Sequence, residues 1–169
     1  AERGVPVCGV DVNHTVVSGF NTARPHFYEK GLDALLRKHR KSGFECFTAI
    51  PEDKAINTYI IAVGTSVRHK KPHFQELKSA SRDVSKVLKR GNLVILRSTV
   101  PVGSTRECVI TILEQESGLS AGEDFSVVFA PERTVEGEAL AELKTLPQII
   151  GGIDNESIKK ASTLFNLFS

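Results

Sequence analysis

Apolar side chains fall along this chain in two rhythms, short unbroken runs and stretches where they recur every three or four residues, and the two rhythms alternate. Residues 5–12 form the first run and predict a strand, after which Asn13 is placed to cap a short helix reaching about Thr22. Pro25 and Gly31 bracket a loop. Leu32, Leu35 and Leu36 then give a helical face ending near Gly43, followed by a short strand at 44–48 and a brief helical turn after Pro51. Residues 57–63 carry Tyr59, Ile60, Ile61 and Val63, the continuous pattern of a central strand covered on both faces. Phe74, Leu77, Val84, Val87 and Leu88 mark a long amphipathic helix that Gly91 ends. A strand at 93–96 follows, then a helix from Thr105 that buries Val109, Ile110, Ile112 and Leu113 and stops near Gly118. A strand at 125–129, a helix at 139–143, a last strand at 149–153 and a helix capped by Asp154 and reaching about Phe168 complete the order. Strands and helices in alternation, with no internal repeat, predict βα units and a doubly wound, mostly parallel Rossmann-like α/β sheet.

Composition narrows what such a fold does. A chain of 169 residues fits a single domain over 1–169 and is large enough to bury about 70% of its unfolded surface. Its 22 basic and 20 acidic side chains leave a formal charge of +2, which gives no bulk attraction to nucleic acid or to a membrane surface. No apolar run approaches the ~20 residues that span a bilayer, so a cytoplasmic protein is expected. The one basic cluster, Arg37, Lys38, His39, Arg40 and Lys41, falls at a predicted helix end, where it complements the dipole; phosphate binding is the alternative. Cys8, Cys46 and Cys108 are widely spaced and odd in number, which indicates neither a disulfide framework nor a zinc site. The histidines, His69 and His73 in a polar loop among them, have no metal-ligand spacing, so no metal is expected.

Chemistry concentrates where predicted strands end. In an open α/β sheet ligands gather at the carboxyl ends of strands. The strand at 125–129 runs into Ala130-Pro131-Glu132-Arg133-Thr134-Val135-Glu136-Gly137, which sets Glu132 and Glu136 at the mouth of such a site. The strand at 93–96 runs into Ser98-Thr99-Val100-Pro101-Val102-Gly103-Ser104-Thr105. The first strand ends in Gly9-Val10-Asp11-Val12-Asn13, and an acidic residue at a strand end in a dinucleotide fold accepts from the adenosine ribose hydroxyls, favouring NAD over NADP. Such a residue stands about 20 positions beyond a Gly-x-Gly-x-x-Gly turn, which is absent here, and a strand-end Asp also serves simply as a cap.

Taken in order, these segments resemble the nucleotide-sugar (UDP-glucose/GDP-mannose) dehydrogenases, and within that family look most like the UDP-N-acetyl-D-mannosamine dehydrogenases. The resemblance runs over nearly the whole chain. It takes in the Asp11 segment, then Asn21, Pro25, Glu29, Gly31 and Leu32, and Ala62-Val63-Gly64-Thr65. It continues through residues 88–96, the Ser98 to Thr105 loop, Pro131-Glu132-Arg133, and Pro147-Gln148-Ile149-Ile150-Gly151-Gly152. It implies an enzyme that oxidises the C6 alcohol of a UDP-sugar, UDP-N-acetylmannosamine above all, to the uronic acid through an aldehyde and a cysteine-bound thioester, with two NAD reduced. Carried over by position, Asp11 with Asn13 would stand on the ribose side of the cofactor, and Thr65 and Ser98 would line its cleft. Thr99 would position a water or the reacting oxygen, Glu132 would lie near the nicotinamide, and Glu136 would match an acid–base carboxylate. The purely structural alternatives are that Thr99 caps a turn, Glu136 is solvated, and Glu132 pairs with Arg133 or Arg106.

Departures from the family pattern touch the cofactor-side loops. Thr65-Ser66 stands where Thr-Pro is usual, Pro72-His73-Phe74 where Pro-Asp-Leu is common, Arg97 for a frequent Glu, Ala23 for a frequent Gly and Lys30 for a frequent Pro. None of the three cysteines matches the family's nucleophile. The expectation is a cofactor domain lacking its first strand and glycine loop, which binds NAD weakly or not at all by itself. The gap would be repaired by a homo-oligomer, by a swapped element, or by pairing of the strands at 5–12 and 57–63. A non-catalytic module acting in binding or assembly is the alternative function.

Overall fold

A computed structural model of the chain describes residues 1–40, 43–68 and 71–167. The elements run β1 (Val7–Val10), α1 (His14–Asn21), α2 (Leu32–His39), β2 (Phe44–Phe47) and β3 (Thr58–Ile61). A two-stranded hairpin, β4 (Val67–Arg68) and β5 (Lys71–Pro72), leads into α3 (Gln75–Ser85) and β6 (Leu93–Leu96). A π-helical segment, Thr105–Ile110, continues directly into α4 (Thr111–Ser117); β7 (Ser126–Phe129), α5 (Ala139–Thr145), β8 (Gly151–Gly152) and α6 (Asn155–Phe165) follow. The chain forms two compact units: Ala1–Asp53 with Arg133–Pro147 and Leu167–Ser169, and Lys54–Glu132 with Gln148–Asn166.

The first unit is built on a parallel pair, β1 beside β2 from Val7 opposite Phe44 to Val10 opposite Phe47. Gly9 faces Cys46, and a Cβ there would stand 2.5 Å from the sulfur, so only glycine lets the strands carry the thiol between them. Asn21, at the end of α1, acts as a surrogate peptide group: its amide donates to Cys46 O and its carbonyl accepts from Cys46 N, both at 2.8 Å. Asn13 caps α1 by accepting from Thr15 N at 2.9 Å, as the sequence predicts. Ala23, buried at the turn after α1, has φ 57°, a left-handed conformation that explains why a glycine suits this position. Arg37, Lys38 and His39 occupy the last turn of α2, and Arg37 is bonded to Asp33 one turn earlier. Lys41 of the basic cluster lies outside the described residues, as do His69 and Phe168.

The second unit holds a four-stranded sheet in the order β3-β6-β7-β8, parallel except for β8. Its centre is β6, whose four residues are all buried. Leu93 and Ile95 pack with Val128, Ala130, Ala161 and Phe165, which seats α6 on one face. Leu77, Val109 and Leu113, from α3, the π segment and α4, are fully buried. β3 is an outer strand of this sheet rather than the central one expected from its unbroken apolar run. Its burial alternates, Tyr59 and Ile61 inward and Ile60 half exposed, as successive side chains point to opposite faces of the strand. β1 and β3 belong to different sheets, so the direct pairing of the two that the sequence allowed is not formed. Several boundaries also differ. α3 stops at Ser85, before Val87 and Leu88, the last strand shrinks to Gly151–Gly152, and the stretch after Pro51 is a turn. Asp154 caps α6 as expected, accepting from Ser157 N at 2.7 Å. Among the described residues no helix is long and apolar enough to cross a membrane.

Candidate functional site

β3, β6 and β7 end side by side in the second unit, and their ladder continues past the last strand residues. Arg97 N donates to Ile61 O at 2.8 Å, Ala130 N to Leu96 O at 2.9 Å, and Glu132 N to Arg97 O at 3.1 Å. The three loops that leave these ends are then tied by side chains. Ser98 Oγ donates to Val63 O at 2.7 Å, and Thr65 Oγ1 donates to Thr99 O at 2.6 Å. Both hydroxyls expected along a cofactor cleft are therefore engaged in holding backbone. The Thr99 side chain is exposed, and among the described residues its hydroxyl makes no hydrogen bond, so it caps no turn and is open to a ligand.

Glu132 is bonded to Arg97, an arginine outside the two the sequence offers as structural partners. Its Oε2 accepts from the guanidinium of Arg97, which also donates to Gln148 Oε1 at 3.1 Å and lies over the Phe165 ring, 5.3 Å from its centroid. Adjacent parallel strands bring residue 97 and residue 132 together, and the Arg133 guanidinium donates to the carbonyl of Pro147. The same 98–105 loop walls a largely apolar groove of about 340 Å³ with Val127 and Phe129 of β7 and Gly151 and Gly152 of β8.

Asp11 and Asn13 lie in the first unit, at the end of β1. Asp11 N donates to Phe47 O at 3.1 Å, which extends the strand pair by one residue. Asp11 Oδ1 accepts from Asn13 N at 2.8 Å, while Asn13 Oδ1 is spent on α1. That leaves the second carboxylate oxygen of a half-buried Asp11 without a hydrogen bond from the described residues, at a strand end. Glu136 is exposed in the turn before α5. The turn itself is fixed by Glu29, a buried carboxylate whose two oxygens accept from Gly137 N at 2.8 Å and Leu140 N at 3.2 Å.

Two functional-looking residues escape a reading of the sequence. Arg97 stands there only as a departure from a family pattern, although a cation next to four buried apolar residues already signals a partner. Glu29 appears only as one matched position; the N–H groups that donate to it lie more than a hundred residues away, and no local pattern announces them. Cys46 is buried, and burial first, then the charges of Asp11 and Cys8, push its thiol up, which argues against a nucleophile. Cys8 and Cys108 are half-buried free thiols. Among the described residues no three His, Cys, Asp or Glu side chains group as a metal site.

This geometry has close counterparts. The sequence profile of the UDP-glucose/GDP-mannose dehydrogenase family, NAD binding domain, matches residues 1–169. A UDP-N-acetyl-D-mannosamine dehydrogenase from Campylobacter jejuni is 36% identical over 176 residues, covering 99% of this chain and 43% of the relative. An NDP-N-acetyl-D-galactosaminuronic acid dehydrogenase from Ralstonia solanacearum is 37% identical over 175 residues, covering 99% of this chain and 41% of its own. The solved UDP-D-ManNAc dehydrogenase from Pyrococcus horikoshii superposes with a TM-score of 0.94 at 33% identity, over 99% of this chain and 40% of that structure. The chain thus spans less than half the length of the relatives it matches.

Proposed function

Because this chain belongs to the UDP-glucose/GDP-mannose dehydrogenase family, as its NAD-binding domain, we propose that it is the cofactor part of a cytoplasmic enzyme oxidising the C6 alcohol of a UDP-sugar, UDP-N-acetylmannosamine, to the uronic acid. Both of its units contribute to that one domain. The observation that carries the proposal is the convergence at the ends of β3, β6 and β7: a hydroxyl left open on Thr99 beside loops locked by Thr65 and Ser98, and a fixed carboxylate on Glu132. The names of the relatives supply the sugar.

When bound, NAD would supply the hydride acceptor for the oxidation. The residues present suit it: Asp11 keeps a carboxylate oxygen for a ribose hydroxyl, and that negative charge disfavours a 2′-phosphate. Thr65 and Ser98 serve the site by fixing the loops, since their hydroxyls are bound to Thr99 O and Val63 O. Thr99 orients a water or the reacting oxygen through its open hydroxyl. Removing an alcohol proton during hydride loss, or activating water on a thioester, calls for a nearby base, and Glu132 fills that role. Glu136, exposed on a turn pinned by Glu29, is a second acid–base group. A homo-oligomer is part of the same reading, supported by outward apolar side chains such as Ile60 and Ile149, and is read by light scattering over a dilution series.

The test is NAD-linked turnover by the full-length protein with UDP-N-acetylmannosamine, UDP-N-acetylgalactosamine and UDP-glucose compared. Thr99→Ala and Glu132→Gln are expected to lower kcat by about a hundredfold, the weight of one acid–base or orienting group. Absence of turnover with every UDP-sugar, or full activity in both variants, overturns the proposal.

A further inference from the structure

Arg97 is 8% exposed, and a buried guanidinium requires an opposite charge and filled donors. It finds them from three directions: Glu132 Oε2, Gln148 Oε1 at 3.1 Å, and the face of Phe165 on α6. Its backbone is engaged as well, giving its N–H to Ile61 O and taking the N–H of Glu132 on its carbonyl at 3.1 Å. One residue therefore grips Glu132 twice, at the main chain and at the carboxylate, and is itself anchored to β3, β6 and α6. We propose that Arg97 is the positioning residue of Glu132, fixing that carboxylate beside the ends of β6 and β7; this rests on the reading of Glu132 as the base.

The charges around Glu132 agree with this assignment. From β6 it meets the Arg97 guanidinium, from β3 the neutral carbonyl of Ile61 reaches Arg97 rather than the acid, and α6 contributes the apolar Phe165 ring. Arg133, the next residue in the chain, directs its guanidinium to Pro147 O. The bond to the guanidinium fixes the Glu132 carboxylate in one place, where it can accept a proton or orient a water. The planar fork matters, because a lysine ammonium cannot bond Glu132 and Gln148 while stacking on Phe165.

The experiment follows the Glu132 side-chain carboxyl by carbon-detected NMR titration in this chain, with Glu132→Gln assigning the signal. Arg97→Gln is expected to raise its midpoint by about one pH unit, and Arg97→Lys to restore part of that shift. In the full-length protein Arg97→Gln should lower kcat about tenfold with the UDP-sugar KM little changed, and move the acid limb of the kcat profile upward with the midpoint. If Arg97→Gln does not fold, Arg97→Lys carries the test, with the midpoint kept but the Glu132 side-chain couplings averaged over rotamers. An unmoved midpoint in folded Arg97→Gln, or unaveraged couplings in Arg97→Lys, overturns the positioning role. A moved midpoint together with full turnover in Glu132→Gln overturns instead the reading of Glu132 as the base.

Discussion

Cys46 sits where β1 and β2 come too close for its neighbour to carry a side chain, and its chemistry follows from that enclosure. Burial, with the charges of Asp11 and Cys8 behind it, raises its thiol pKa. A raised folded-state value means that this contribution to stability is complete below the unfolded pKa of about 8.5 and is lost as pH rises through the folded one. Cys46 is therefore expected to react with a thiol reagent at pH 8 at least tenfold more slowly than Cys8 or Cys108, with the gap closing in denaturant; three equal rates would contradict it. Glu132 makes the opposite case, a half-open residue whose partner is buried. Glu132→Ala leaves the Arg97 cation without its carboxylate and is expected to cost about 1–3 kcal/mol, less than a fully buried pair because Glu132 retains 39% side-chain exposure. Urea unfolding measures it, and Glu132→Gln, which keeps an acceptor, should cost less. The sequence made Glu132 a candidate but did not name Arg97 as its partner. Arg133 and Arg106 are near it in the chain or in a facing loop, whereas Arg97 reaches it only through the register Leu96 opposite Phe129, which no single strand encodes.

At the scale of elements, legibility tracks how local the cause is. Asn13 and Asp154 announce α1 and α6 because a cap bonds two or three residues ahead of itself, and both caps form where expected. Gly118 ends α4 with φ 72° for an equally local reason. The rank of β3 in its sheet was not legible, since four apolar residues in a row look the same whether both faces are covered or one side chain, Ile60, is left outside. The start of α5 was hidden too. Its preceding turn contributes Gly137 N, and its first turn Leu140 N, to a carboxylate over a hundred residues upstream. Glu29→Ala strips the acceptor from both N–H groups and is expected to destabilise the first unit by about 2–4 kcal/mol, charge-assisted bonds being worth about 1.5–3 kcal/mol each and not fully additive. Hydrogen exchange at Gly137 and Leu140 should accelerate well before the rest of the unit; unchanged protection there would show that α5 starts without Glu29.

For the whole molecule, strand–helix alternation was enough to place the class, and the paired segments at Ser98 to Thr105 and Pro131 to Arg133 were enough to place the family. What neither could place was which compact unit carries each candidate residue: Thr65, Ser98, Thr99 and Glu132 belong to one, and Asp11, Asn13 and Glu136 to the other. Cofactor choice belongs to this scale, because it is a property of the assembled full-length enzyme rather than of one strand end. Asp11 has two duties that a simple truncation would confuse: Oδ1 holds the turn at Asn13 N, and the carboxylate carries a negative charge. Asp11→Asn separates them, since an amide carbonyl still accepts from Asn13 while the charge disappears. A unit charge about 4 Å from a 2′-phosphate is worth about 1–4 kcal/mol at the effective dielectric of a protein surface. Asp11→Asn is therefore expected to shift the ratio of NAD to NADP affinity toward NADP by on the order of tenfold, from lost ribose bonding on one side and relieved repulsion on the other. Circular dichroism should find α1 intact in this variant, because Asn13 and its bond to Thr15 N are untouched. Calorimetric titration of both cofactors decides the matter: equal weakening of the two would reduce Asp11 to a turn residue and leave the choice of NAD to other parts of the enzyme.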